Sequence, residues 1–243
     1  MQVRIFENSK DDFAALPKGK LGFLLASCHA FNEVSSLVPL TIFGNKDPNR
    51  NEAELAFLMV RQLTILRLLL SKLYEWNNIC VQHKKTLKRK VLQDAYFDEN
   101  YGGVEEIFAR FDWLPRVRNK LTFHYDRDAL LEGFRRMEAD TRLVFAAGKI
   151  QGLTVFGFAE EAASQGLISD LGNGDLQAGL RAAHDAALDL YRAMFNFMPY
   201  YVMAILREYK ITSSYTDMAI SADLLRDPAE LTIPLAPDRP PPR

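Results

Sequence analysis

Cysteine is scarce in this chain of 243 residues: Cys28 and Cys80 are the only two. Each falls among apolar residues of a helical segment, and one pair would be too sparse a disulfide framework for this length. Buried free thiols and a reducing, cytoplasmic setting follow. An excess of one charge is also missing, since 30 basic side chains face 31 acidic ones and the sequence pI is near 6.4. No global field draws the chain to nucleic acid or anionic lipid, so any polyanion binding must be local. The amino terminus "MQVRIFENSKDDF" has no basic region leading into an apolar stretch, and "YYVMAIL" is far too short to span a bilayer. Neither export nor a membrane partner is expected. Zinc spacing, a Gly-rich phosphate loop and a nucleophile elbow are all lacking, so no metal ligands and no cofactor are expected.

What remains is helical patterning. With 48% hydrophobic and 25% charged residues, the chain can bury one sizeable core. Leu21, Leu24, Leu25, Cys28, Phe31, Val34, Leu37 and Val38 recur at three- and four-residue steps and predict an amphipathic helix over 18–43. "GNKDPNRN" marks a turn. A long helix follows from Glu52 to about Cys80, striped by Leu55, Leu63, Leu66, Leu70, Leu73 and Trp76, with a basic segment open to continue it. "FDENYGG" at 97–103 interrupts the pattern. Pro115 suits a first helical turn, and the helix it opens is predicted to reach about Met137.

Later the period changes. Leu143–Ala146 and Leu153–Phe158 lean to β structure around "GKIQG" and predict a hairpin near 142–159. Helical spacing returns over 176–209, with Pro199 inside it, and the end "PLAPDRPPPR" is too proline-rich to join a core. The expected fold class is all-α: an antiparallel helical bundle with a small β-hairpin insertion. It would fill residues 1–215, and 216–243 would form a C-terminal extension with a Pro-rich tail.

Two stretches carry candidate chemistry. "HKKTLKRK" at 83–90 contains Lys84, Lys85, Lys88, Arg89 and Lys90, which can grip a phosphate backbone. The same residues also suit a solvated helix C-terminus, where the macrodipole favours cations. The second stretch, "RNKLTFHYD", holds Arg118, Asn119 and His124. On one continuous helix, Arg118 and His124 flank an apolar arc, about 120° apart and about 9 Å along the axis. Edge positions are where Arg and His ordinarily sit, with stems packed and tips wet. They are also where a long arginine can share a substrate with an imidazole.

Metal-free RNA cleavage needs a base for the ribose 2′ proton, an acid for the leaving oxygen, and a cation against the phosphorane charge. Histidine titrates near neutrality, and arginine offers phosphate a planar fork of donors that stays charged. Asn119 can bond the phosphate or orient a catalytic group. One histidine leaves one role unfilled, so a homodimer with a composite site is expected.

The Arg–Asn pair followed by a histidine, with five residues between Arg118 and His124, resembles the motif of the HEPN superfamily (higher eukaryote and prokaryote nucleotide-binding domains). "RNK" leading into His124, Tyr125 and Asp126 is similar to its abortive-infection branch. The resemblance covers 18–137 as architecture. It implies a metal-independent endoribonuclease acting as a toxin or phage-defence effector, with RNA as substrate and, in some members, an antitoxin protein as partner. It makes Arg118 and His124 catalytic and Asn119 their polar partner, with Lys120, Tyr125 and Asp126 in support. Where a nucleotidyltransferase antitoxin is the partner, some members carry a tyrosine two residues after the histidine; here that position is Asp126. The alternative is a non-catalytic HEPN-like domain that binds a nucleotide, RNA or a protein through the same groove. Of the other histidines, His29 reads as a core residue, His83 as part of the basic run, and His184 as an isolated helix position.

Overall fold

A computed structural model of the chain describes residues 2–42, 52–89, 92–119, 126–141, 143, 145–146, 155–212 and 214–219. The elements run β1 (Gln2–Glu7), α1 (Lys10–Ala14), α2 (Lys18–Ile42), α3 (Glu52–Lys88), α4 (Ala95–Ala109), α5 (Leu114–Val117) and α6 (Arg127–Arg136). They continue with β2 (Phe145–Ala146), β3 (Val155–Phe156), α7 (Gly157–Leu167), a 3-10 turn (Ser169–Gly172), α8 (Leu176–Glu208) and β4 (Ser214–Ala219). The protein is mostly helical, in keeping with the expected all-α class.

Four helices, α2, α3, α4 and α8, carry the core. Contacts fix their directions: Phe23 of α2 stacks on His83 of α3, while Glu33, later on α2, accepts from Lys72, earlier on α3, at 2.6 Å. These two helices are therefore antiparallel. The same logic sets α2 against α8, where Lys20 meets Glu208 at 2.8 Å and Phe31 stacks on Phe195. Between them lie Leu69, Leu73, Trp76 and Cys80 of α3, and Leu190, Met194, Phe197, Tyr201 and Ile205 of α8. Burying each such side chain contributes roughly 1.5–3 kcal/mol. Among the described residues, α2 alone is long and apolar enough to cross a membrane, but its Phe23, Leu24, Ala30 and Val34 join this core.

Helix α4 runs straight through the segment expected to break. Asp94 caps it by accepting from the Phe97 N–H at 3.3 Å, and Phe97, Tyr101, Val104 and Phe108 form a buried stripe. That stripe outweighs the poor propensity of Gly102 and Gly103, which sit on the solvent side with nothing crowding them.

The continuous helix expected from Pro115 to Met137 does not hold either. Asp126 is extended, at φ −71° and ψ 102°, and begins α6 as its N-cap by accepting from the Asp128 and Ala129 N–H groups. A carboxylate placed to satisfy two orphan amides starts a new helix there. The break lies beyond His124, and residues 120–125, over which the wheel relates Arg118 to His124, lie outside the described residues.

Helix α7 was not foreseen, because small residues mask its period. It packs on α6 through glycine: a Cβ on Gly133 would lie 1.8 Å from the Ala162 carbonyl oxygen, and one on Gly166 2.4 Å from that of Ala129. β2 pairs with β3 antiparallel, Phe145 with Phe156 and Ala146 with Val155, so the expected hairpin exists as two-residue strands. Residues 157–159, expected within it, belong to α7. β1 pairs with β4 from Gln2↔Ala219 to Glu7↔Ser214. This ribbon crosses the domain boundary expected at 215/216.

Candidate functional site

Arg118 follows α5 directly and closes its C-terminus. Pro115 enters the first turn, while Leu114 and Val117 bury the inner face, so the next residue turns outward beside α3. Its Nε donates to Glu75 Oε1 at 2.7 Å and its Nη1 to Asn119 Oδ1 at 2.9 Å. Both charged side chains are about one-third exposed, at 32% and 38%. Glu75 is a partner that the sequence reading did not name. The expected Arg118–Asn119 pair is thus brought together.

Lys120, His124 and Tyr125 lie outside the described residues, and Asp126 is the α6 cap described above.

The basic run divides. Lys84 pairs with Glu105 and lies over the Tyr101 ring, so it is committed within the chain. Lys85, Lys88 and Arg89 are exposed at the end of α3, and Lys90 lies outside the described residues.

His83 does not belong with these cations. It is 5% exposed, and its Nε2 sits 3.0 Å from Asp94 Oδ2, which also accepts the Tyr201 hydroxyl at 2.7 Å. Burial pushes the Asp94 carboxyl up, but the hydrogen bonds from His83 and Tyr201, the charge of Lys20 and the Phe97 N–H together hold it below its ordinary value. Asp94 is therefore an anionic acceptor, and Nε2 of His83 carries the proton between them. The Tyr201 hydroxyl is driven up by burial and by the Asp94 charge, and remains a donor. A sequence signal existed: Leu69, Leu73, Trp76, Cys80, His83 and Leu87 alternate four- and three-residue steps, which extends the buried stripe through the basic run. His29, read as a core residue, has a side chain 78% exposed; it lies on the outer face of α2, 3.9 Å from Glu33.

A groove of about 400 Å³ runs along α3, walled by the face from Glu75 to Thr86 and by Gly19 and Phe23 of α2. That volume is in the range of small-molecule sites. One end is Glu75, which holds Arg118; His83 stands about 12 Å further along the α3 axis, eight residues on. Among the described residues, no three His, Cys, Asp or Glu side chains gather so as to hold a metal ion.

No family model, curated protein or solved structure matches the chain.

Proposed function

We propose that the chain is a HEPN-type, metal-independent endoribonuclease that works as a homodimer, as a toxin or phage-defence effector in a cytoplasmic setting. Arg118 stabilises the phosphorane, His124 acts as general acid or base, and Asn119 orients the phosphate. Lys85, Lys88 and Arg89 guide the RNA strand, and an antitoxin protein restrains the enzyme.

The observation that supports this reading is the bracing of Arg118. Glu75, which lines the groove, and Asn119 fix two edges of its guanidinium, a geometry suited to meeting a phosphate in one orientation. A second reading, a non-catalytic HEPN-like binding domain, is favoured by the same contact seen from its charge: the Glu75 carboxylate neutralises the cation that catalysis would use.

The test is incubation of purified protein with single-stranded RNA in EDTA. Cleavage leaving cyclic phosphate ends, lost in His124→Ala with unchanged circular dichroism, is the expected result. Equal cutting by that variant would sink the assignment, and no cutting by the wild-type chain would favour the binding domain. Light scattering that gives a monomer mass at working concentration would remove the composite site.

A further inference from the structure

His83 stands too far from Arg118 to be the missing acid or base. Reacting atoms must approach to about 3–3.5 Å, and about 12 Å of helix separates Glu75, which holds Arg118, from His83. The separation instead suits a ligand with an anionic end and a polar end joined by a spacer. Between the two ends, α3 presents Asn78 and Gln82, four residues apart on one face, with Ile79 beside them. Neither amide has a hydrogen-bond partner among the described residues, so each offers two donors and an acceptor to the groove.

His83 adds a second ring nitrogen. With Nε2–H given to Asp94, Nδ1 has no hydrogen-bond partner among the described residues, and the residue lines the groove. Phe23 stacks on the ring at 4.0 Å and holds its plane. The imidazole is thus anchored at Nε2 by Asp94 and held in orientation by Phe23. Donors and acceptors set along a half-apolar wall match the edge of a planar heterocycle that carries both, and the cation at the far end matches a phosphate.

We propose that the α3 groove is a base-reading subsite: one nucleotide lies along it with its phosphate at Arg118 and Asn119 and its base edge on Asn78, Gln82 and His83 Nδ1. This rests on the nuclease reading for its phosphate end and gives that site a base preference the Arg–Asn pair cannot supply. His83 touches ligand here without transferring a proton, and Asp94 and Tyr201 position it.

The probes are the four nucleoside 5′-monophosphates, with ribose 5-phosphate as the ligand that has the same phosphate and sugar but no base. Isothermal titration of the full chain is expected to show at least one nucleotide binding about tenfold or more tighter than ribose 5-phosphate, the scale of one or two hydrogen bonds made in a groove. Asn78→Ala with Gln82→Ala, both on the solvent side of α3, should bring that ratio to about one while ribose 5-phosphate binding is kept. In a histidine-labelled sample the His83 Nδ1 resonance should move with the nucleotide and not with ribose 5-phosphate. Nucleotides binding no tighter than ribose 5-phosphate, a ratio that survives the double substitution, or a silent His83 resonance would each overturn the proposal. The two readings separate cleanly. RNA cutting with no base-dependent binding ends the subsite and leaves the nuclease, whereas base-dependent binding in a chain that cuts nothing ends the nuclease and leaves the subsite.

Discussion

His83 and Asp94, eleven positions apart, meet at 3.0 Å with side chains 3% and 0% exposed, and so lock the end of α3 to the start of α4. The contact joins the last turns of one helix to the N-cap of the next, and the Tyr201 hydroxyl ties both to α8. One carboxylate thereby fixes three elements of the bundle around one wall of the groove.

Asp94→Asn tests that lock. Asparagine keeps the capping ability but loses the anion, so a cost of about 2–3 kcal/mol in urea unfolding is expected. Because the folded-state carboxyl is held below its ordinary 3.8, its stabilisation is present above that value and lost as pH falls through the lowered one. The stability gap between wild type and variant should therefore close in acid, below about pH 4. A gap that is constant from pH 7 to pH 3 would mean the anion contributes nothing.

Glu75→Gln removes the carboxylate that Arg118 now holds. The exposed pair should cost roughly 1 kcal/mol or less in stability. Affinity for single-stranded RNA should rise, and the slope of log K against log salt should steepen by about 0.7, one further phosphate neutralised. Fluorescence anisotropy across a salt series reads both, and an unchanged slope would show that Arg118 does not meet the backbone.

Lys85, Lys88 and Arg89 replaced together by alanine should leave unfolding within about 0.5 kcal/mol per site, since all three are exposed. RNA binding should weaken and the salt slope flatten by about 2. Lys84→Ala is expected to behave differently, because Lys84 is already paired with Glu105. It should flatten the slope least of the four single substitutions.

One substitution made at two places should change sign. Gly102→Ala, where nothing lies within 4 Å of the new Cβ, should stabilise α4 by up to about 1 kcal/mol. Gly133→Ala drives a methyl group into the Ala162 backbone, must push α6 off α7, and should cost about 1–3 kcal/mol or more. Thermal unfolding of the two variants decides it, and a shift of the same sign in both would contradict the α6–α7 contact.

The long core helices were legible because α2, α3 and α8 each repeat apolar residues at helical spacing over many turns, a signal that local breakers do not erase. Failures came where a tertiary contact outweighed a local rule. Gly102 and Gly103 argued for a loop, yet Phe97, Tyr101, Val104 and Phe108 bury enough surface to carry the helix past them. Asp126, expected to support the motif, also caps α6, a role the expected continuous helix left no place for, since capping needs one carboxylate next to two bare amides. Within the candidate site, Arg118 and Asn119 could be named from spacing. Glu75 and Asp94 could not, because nothing in a linear pattern says which turn of α3 faces α5 or which acid lies against His83.

The pairing of β1 with β4 has a mechanical side. Gln2 and Ala219 are partners at one end of the ladder and Glu7 and Ser214 at the other, so tension applied between residues 2 and 219 falls on a single rung at a time. All six β4 side chains are exposed, so no burial of that strand backs those rungs. Under pulling from these two points the ribbon peels open at low force, and the helices behind it carry load only after the last rung has gone.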